Sequence, residues 1–376
     1  MPRRRRPPKN LQPQTAAVVA ATSIARPSLT GLTDVVAQLR ATRWSNTPEL
    51  PDRVLRAIAS KSTNTRLSIH ANYRVWKAWC VAQRPPITPF PADAEAVSQF
   101  LQDNGPPIRV DRNGAFEVQQ DAIASPAGTA IKTHATLSRY LATLASLHRD
   151  AGHTDPTKDP EVLAVWRVLR RGLPRPQQKS ALSLEAIRSA VLQLPDTLTG
   201  KRDRALLLVA YALMARRSEL VALNVENFQF DEDDGATVTF ERTKTGEVST
   251  SYLTAPIVDV LTDWLTAARI QAGPVFVRLD FAGGPARQRL SAQSVALVFK
   301  RVATLLNIPD LLPSQISSHS VRIGATHDLV EGGAPDAAIM RDAGWKTTRM
   351  VGLYSRGAKA KQGAMATHLG RRLANR

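Results

Sequence analysis

From about residue 32 to residue 172 the apolar residues recur every three or four positions, segment after segment. That period commits the first half of the chain to helices. "GLTDVVAQLRATRW" and "LPDRVLRAIA" carry it first, and "NTRLSIHANYRVWKAWCVAQ" follows with Ile69, Tyr73, Trp76 and Cys80 on one face. "DAEAVSQFLQDN", "THATLSRYLATLASLHRDAG" and "DPEVLAVWRVLRRG" continue it. Residues 103–130 interrupt the series, are rich in Gly, Pro and Asp, and read as a long loop. "LPRPQQKS", Leu173 to Ser180, has proline and charge but no period, the composition of an interdomain linker. The chain therefore divides into a Pro-, Arg- and Gln-rich tail over 1–30, expected to be disordered, an all-α domain over 31–172, a linker over 173–181 and a second domain over 182–376.

The second domain opens with the capped amphipathic "LSLEAIRSAVLQL", followed by "RALLLVAYALMA", which is apolar all round and so a buried helix. The one convincing β signal comes next. "VENFQF" and "ATVTFER" flank the acidic turn "DEDDG", and "STSYLTA" follows "TKTGEV", which predicts a three-stranded antiparallel sheet. Helices are expected from there to the end.

Fifty Lys+Arg against 32 Asp+Glu give a formal charge of +18, which points to a polyanionic partner, nucleic acid first. Aromatics are only 5%, few for a base-stacking single-strand binder. There is no apolar run long enough for a membrane span, and "MPRRRRPPKN" does not lead into the apolar core of a signal peptide. The single cysteine, Cys80, excludes an internal disulfide and a Cys-based zinc site, and its aromatic neighbours mark it as a buried thiol. The seven histidines show no metal-ligand spacing.

Five features carry chemistry in combination, though each has an ordinary reading alone. Arg216 and Glu219 in "MARRSELVAL" could be a simple ion pair three residues apart. Lys244 in "ERTKTGEV" sits in a hairpin turn, where lysines are usually just solvated. His319 and Arg322 in "SSHSVRIGATHDL" lie one turn apart near a helix start that Ser317 or Ser318 would cap, with Val321, Ala325 and Leu329 buried on the other side. Trp345 and Tyr354 in "AGWKTTRMVGLYSR" are nine positions apart, and Met350, Leu353 and Tyr354 would fit a core stripe.

In order, the chain reads Arg–x–x–Glu, Lys on a hairpin, His–x–x–Arg, Gly–Trp, then Tyr. This series resembles the tyrosine recombinase (phage integrase) family, over roughly residues 55–370. The resemblance implies a mainly α, two-domain, C-shaped DNA clamp: a helical core-binding domain plus a mixed α+β catalytic domain with the small sheet. It assigns Arg216, Lys244, His319, Arg322 and Trp345 to catalysis, Glu219 to support of the first arginine, and Tyr354 to the nucleophile. Arg217 leaves the register ambiguous by one, and Arg216 is preferred because Arg–x–x–Glu–Leu fits the family motif. Arginines suit this chemistry because they stay protonated and offer paired donors to phosphate oxygens. Tyrosine, with an ordinary pKa near 10, needs help to attack.

The resemblance further implies site-specific recombination of double-stranded DNA through a 3′-phosphotyrosine ester and a Holliday junction. No cofactor or metal is expected. A homotetramer would form by exchange of the last helix, where Met365, Leu369 and Leu373 form an apolar stripe after a loose Gly- and Lys-bearing stretch. Helices starting near Asn64 and Thr133 would enter the major groove, making Thr65, Arg66, Ser68, Lys132, His134 and Arg139 candidate DNA contacts, with Arg278 and Gln293 in the second domain. Gln293 falls where a related recombinase carries a base-reading arginine, and Gln prefers adenine. A cytoplasmic, nucleoid-associated enzyme of bacterial, plasmid or phage origin is expected. Two other readings stay open: a type IB topoisomerase-like relaxing enzyme, and a sequence-specific DNA-binding regulator.

Overall fold

The computed structural model describes residues 32–373, apart from 111, 113, 120–121, 123, 174–178, 244–245, 281–282, 309–311 and 362. The basic tail, including Arg3 to Arg6, most of the linker, and Lys244 lie outside the described residues. The chain separates into two compact units with the boundary at residues 177–178.

The first unit is built from α1 (Leu32–Arg40), α2 (Asp52–Ala59), α3 (Thr63–Ala82), α4 (Ala94–Asn104), the strands β1 (Ile108–Val110) and β2 (Phe116–Val118), α5 (His134–Ala151) and α6 (Pro160–Gly172). Each long helix begins at a side chain that accepts an orphan backbone N–H: Ser62 for α3, Asp93 for α4, Thr133 for α5 and Asp159 for α6. The face read from sequence on α3 is the buried one, Ile69, Tyr73, Trp76 and Cys80. It meets Val54, Leu55 and Ile58 of α2, Phe100 and Leu101 of α4, and Leu137 and Leu144 of α5 in one apolar core. Burial pushes the Cys80 thiol up to about 12, so it is an inert core group.

One expectation fails here. The segment 103–130 is not only a loop, because β1 and β2 form an antiparallel hairpin in the register Ile108↔Val118, Arg109↔Glu117, Val110↔Phe116. Three-residue strands are too short for alternation to show in a sequence, and two of the four apolar side chains, Val110 and Phe116, stay exposed.

The second unit runs through α7 (Leu184–Gln193), α8 (Leu198–Ala212), α9 (Arg217–Ala222), β3 (Phe228–Phe230), β4 (Ala236–Glu241), β5 (Val248–Leu253), α10 (Ala255–Ala267), β6 (Val277–Leu279), β7 (Pro285–Arg289), α11 (Ala292–Leu306), α12 (Ser318–Glu331), α13 (Asp336–Ala343), α14 (Thr348–Tyr354), α15 (Arg356–Lys361) and α16 (Ala364–Leu373). The expected antiparallel sheet is present in the order β3-β4-β5. Ala236, Val238 and Phe240 of β4 point into the core beside α8 and α10. α8 is buried as its composition requires, with Ala205, Leu206, Leu207, Val209 and Ala210 inside.

Two further expectations are corrected. Helices do not continue without interruption after the sheet, since β6 and β7 form a hairpin with an irregular register between Val277 and Leu279. The stretch after Tyr354 is not loose: it forms α15, tied down by an ion pair of 2.8 Å between Lys359 Nζ and Asp336. Among the described residues, no helix is long and apolar enough to cross a membrane.

Candidate active site

Arg216 is reached as the chain leaves the buried end of α8. It stands at the N-cap of α9, where Glu219 turns back on it. Glu219 Oε2 accepts the Arg216 backbone N–H at 2.8 Å, and Oε1 accepts Arg216 Nη1 at 2.6 Å. Arg217 is exposed, so the guanidinium that meets Glu219 belongs to Arg216. Burial alone would raise the Glu219 carboxyl. The hydrogen bonds from Arg216 and the charges of Arg216 and Arg242 hold it below the usual carboxylate range instead.

The first turn of α12 is fixed by reciprocal caps. Ser317 Oγ accepts the His319 N–H at 3.2 Å, and Ser320 Oγ accepts the Ser317 N–H at 3.0 Å. Gly324 lets this helix press against the segment before α7, because a Cβ there would lie 1.9 Å from the Leu182 carbonyl oxygen. The face beyond it holds Val321 and Ala325 buried, as read from sequence, but Leu329 only half so.

His319 Nε2 is hydrogen-bonded to the Tyr354 hydroxyl. Their rings meet edge-on at 5.0 Å, and the Trp345 ring lies 5.3 Å from that of Tyr354. Tyr354 is the last residue of α14 and is held at both ends, since its carbonyl accepts from His327 Nε2 two turns along α12 from His319. Val351, rather than Met350 or Leu353, is the residue that buries α14 beside Tyr354.

Arg322 departs from the sequence reading. It lies one turn from His319, on the side opposite the residues read as the buried face, yet it is itself 1% exposed. Its Nη1 donates to the Met214 carbonyl and its Nη2 to the Ala343 carbonyl at 2.7 Å, while the guanidinium carbon stands 5.3 Å from the Trp345 ring centroid. The physical reason is the packing of α12 between the ends of α8 and α13, whose unpaired C-terminal carbonyls attract a buried cation. Burial, with Arg216 beside it, brings the Arg322 guanidinium down to about 10, so it remains a cation at neutral pH.

The cluster is electrostatically lopsided. Burial, then Arg322 and Arg216, push His319 down to about 4, so its imidazole is neutral at pH 7. Burial raises the Tyr354 hydroxyl above its ordinary value, and the same two arginines pull it back. A neutral imidazole on a phenol hydroxyl, beside two cations, is an arrangement that accepts a proton from the phenol and binds an anion next to it. Among the described residues, no group of His, Cys, Asp and Glu could hold a metal ion.

Six of the seven residues singled out for catalysis thus stand together: Arg216, Glu219, His319, Arg322, Trp345 and Tyr354. Lys244, the seventh, lies outside the described residues, although the strands that carry its turn are in place. Two neighbours were missed by sequence reasoning, Arg242 and His327. The alternation along β4 already put position 242 on the inward face with Ala236, Val238 and Phe240, which was a legible signal. His327 had none.

The candidate DNA contacts are scattered more widely. In the first unit, Thr65, Arg66 and Ser68 lie in the first turns of α3, with Arg66 Nη2 donating to Thr63 Oγ1 at 3.1 Å. Arg139 is exposed on α5, Lys132 precedes that helix, and His134 rests on the Trp166 ring at 5.0 Å. α3 and α5 lie side by side, joined by Asn72 Nδ2 to Thr143 Oγ1 at 2.9 Å. In the second unit Gln293 is exposed in the first turn of α11, and Arg278 on β6 donates to Gln288 at 3.0 Å.

Comparison with known proteins gives these features a context. Residues 184–361 match the phage integrase family. The chain is 26% identical over 311 residues to an integrase/recombinase XerD homologue of Selenomonas ruminantium, covering 78% of this chain and 82% of that protein. It is 25% identical over 313 residues to the Cre recombinase of Escherichia phage P1, covering 78% and 83%. Among solved structures it resembles the Tn1549 transposon integrase bound to a circular-intermediate DNA, with a TM-score of 0.55 and 13% identity over 88% of this chain and 99% of that one. The XerH recombinase bound to a palindromic difH substrate gives 0.53 and 12%, over 89% and 95%. At such identities these structures speak for the fold alone.

Proposed function

We propose, from the match of residues 184–361 to the phage integrase family, that this chain is a tyrosine recombinase that cleaves and rejoins double-stranded DNA at specific inverted-repeat sites through a 3′-phosphotyrosine intermediate. The observation that carries this reading is the hydrogen bond between Tyr354 and a neutral His319 beside Arg216 and Arg322.

The Tyr354 oxygen attacks the scissile phosphorus and its proton passes to His319 Nε2. The phosphorus–oxygen bond to the 5′ side breaks as the bond to tyrosine forms, and Lys244 protonates the departing 5′-oxygen. Charge gathers on the non-bridging oxygens in the transition state. Arg216, held by Glu219 and 24% exposed at its side chain, faces that charge directly. Arg322 supplies cationic field from behind, and the Trp345 N–H a further donor. Donors aimed at such charge are each worth about 3–4 kcal/mol. The ester keeps the bond energy, so a 5′-hydroxyl from a partner strand attacks it and recombination follows without ATP.

Each unit contacts the duplex, the first through the starts of α3 and α5 and the second through the start of α11. The stripe Met365, Leu369 and Leu373 of α16 is 68%, 47% and 66% exposed, which suits docking into a neighbouring protomer of a cyclic tetramer. The test is selection of a binding site from random duplex, then incubation of two such sites with the protein in a chelator without ATP. Recombinant products are expected. Relaxation of supercoils without recombinants, or binding alone, would reject the proposal.

A further inference from the structure

We infer that Arg242 is a positioning residue for the reaction, holding the phosphate-binding arginine Arg216 in place through the far side of Glu219. The inference rests on the recombinase reading above.

Arg242 follows β4 at the root of the hairpin turn, where its N–H donates to Glu247 O at 2.8 Å and its carbonyl accepts from Gly246 at 2.8 Å. Its side chain runs inward and is 1% exposed, a rare place for a guanidinium unless its donors are met. Its two Nη groups are met by three separate elements, while Nε is buried without a hydrogen-bond partner. Nη1 donates to Glu219 Oε2 at 3.2 Å and reaches the Leu213 carbonyl at 3.5 Å, and Nη2 donates to the Asp342 carbonyl at 2.6 Å. The guanidinium carbon lies 4.6 Å from the Phe240 ring centroid.

Arg322 makes the matching pair of bonds one residue further along each helix end, to Met214 and Ala343. Two guanidiniums therefore staple the end of α8 to the end of α13, and only Arg242 also grips Glu219. Gly344 is what admits it. That residue takes a left-handed φ of +63°, and a Cβ on it would lie 3.0 Å from Arg242 Nε and 3.2 Å from Cδ. The glycine before Trp345 thus serves the arginine as well as the turn.

Glu219 has two oxygens and two cations. Oε1 holds the Arg216 guanidinium, while Oε2 is fixed by the Arg216 N–H and Arg242. Without Arg242 the carboxylate is free to rotate toward Arg216, and the Arg216 fork leaves the geometry in which it meets phosphate. Arg242 itself touches no reacting atom.

The experiment compares covalent-adduct formation by wild type, Arg242→Met and Arg242→Lys on a nicked selected site with either a normal phosphodiester or an uncharged methylphosphonate at the scissile position. A misplaced cation matters less when the phosphorus group carries no charge. On the phosphodiester Arg242→Met should lose roughly 100-fold in rate, as displacement of a positioning contact by about 1 Å does. On the methylphosphonate the loss should shrink to within a few-fold, and Arg242→Lys should recover part of the phosphodiester rate. DNA affinity should stay within a few-fold of wild type. If Arg242→Met does not bind DNA, the same two-substrate comparison on Arg242→Lys decides. Equal losses on both substrates, or a wild-type rate, would overturn the inference. A wild-type protein that forms no adduct would instead overturn the recombinase reading on which it rests.

Discussion

Replacing Glu219 by Gln removes the one anion that Arg216 and Arg242 share while keeping the side chain's shape. The carboxylate is 1% exposed and its partner Arg242 equally so. Breaking a buried ion pair by deleting one partner costs about 3–5 kcal/mol, because the other charge is left uncompensated. In a unit of this size each kcal/mol lowers Tm by about 2–4 °C, giving a drop of about 6–20 °C. Gln retains one acceptor oxygen, which places the expectation in the lower half of that interval.

The sign of its pH dependence is also fixed. The Glu219 carboxyl is held below its ordinary value of 4.5, so its contribution is fully present above that pH and is lost as pH falls through the depressed folded-state value. Thermal unfolding of wild type and Glu219→Gln across pH 7 to 3 measures this. The two curves should lie far apart at pH 7 and converge in acid. A difference below about 2 °C at pH 7, or one that does not narrow below pH 4.5, would refute the reasoning.

Other expectations follow from the same site. His319 should titrate near pH 4 in the DNA-free protein by histidine NMR, and since the folded chain binds this proton less readily than the unfolded one, it should cost stability as pH falls from 6.5 toward 4. A midpoint near 6.5 would contradict its burial among arginines. Lys244→Ala should slow cleavage of normal DNA and be rescued by a 5′-phosphorothiolate, whose sulfur leaves without a proton; equal defects on both would remove Lys244 from the acid role. Truncation after Lys361 should leave half-site binding nearly intact and abolish the paired-site complex. Normal synapsis would mean that α16 is not the connector.

Long periodic segments were legible because burial of one face imposes a repeat, as on α3, where all four residues read as inward are buried. The central sheet was legible from alternation about a turn of acidic residues and Gly235. The hairpins β1–β2 and β6–β7 were not, since strands of three to five residues show too few alternations to separate from coil. At the site, residue types and their order were readable, and so was the grip of Glu219 on an arginine three residues before it. The depth of Arg322 was not. It follows from where α8 and α13 end against α12, a long-range fact that spacing within one helix does not encode. Arg242 stands two residues before Lys244 in "ERTKTGEV", and strand alternation along β4 already turned it inward.

The central claim is that Tyr354 is the nucleophile. On a nicked site that lets the cleaved end diffuse away, wild type should accumulate a denaturant-resistant protein–DNA adduct whose only DNA-bearing peptide contains Tyr354, joined at a 3′-phosphate. Tyr354→Phe should bind the same site with unchanged affinity and yield no adduct. An adduct of normal amount from Tyr354→Phe, or one mapped to another residue, would contradict the account.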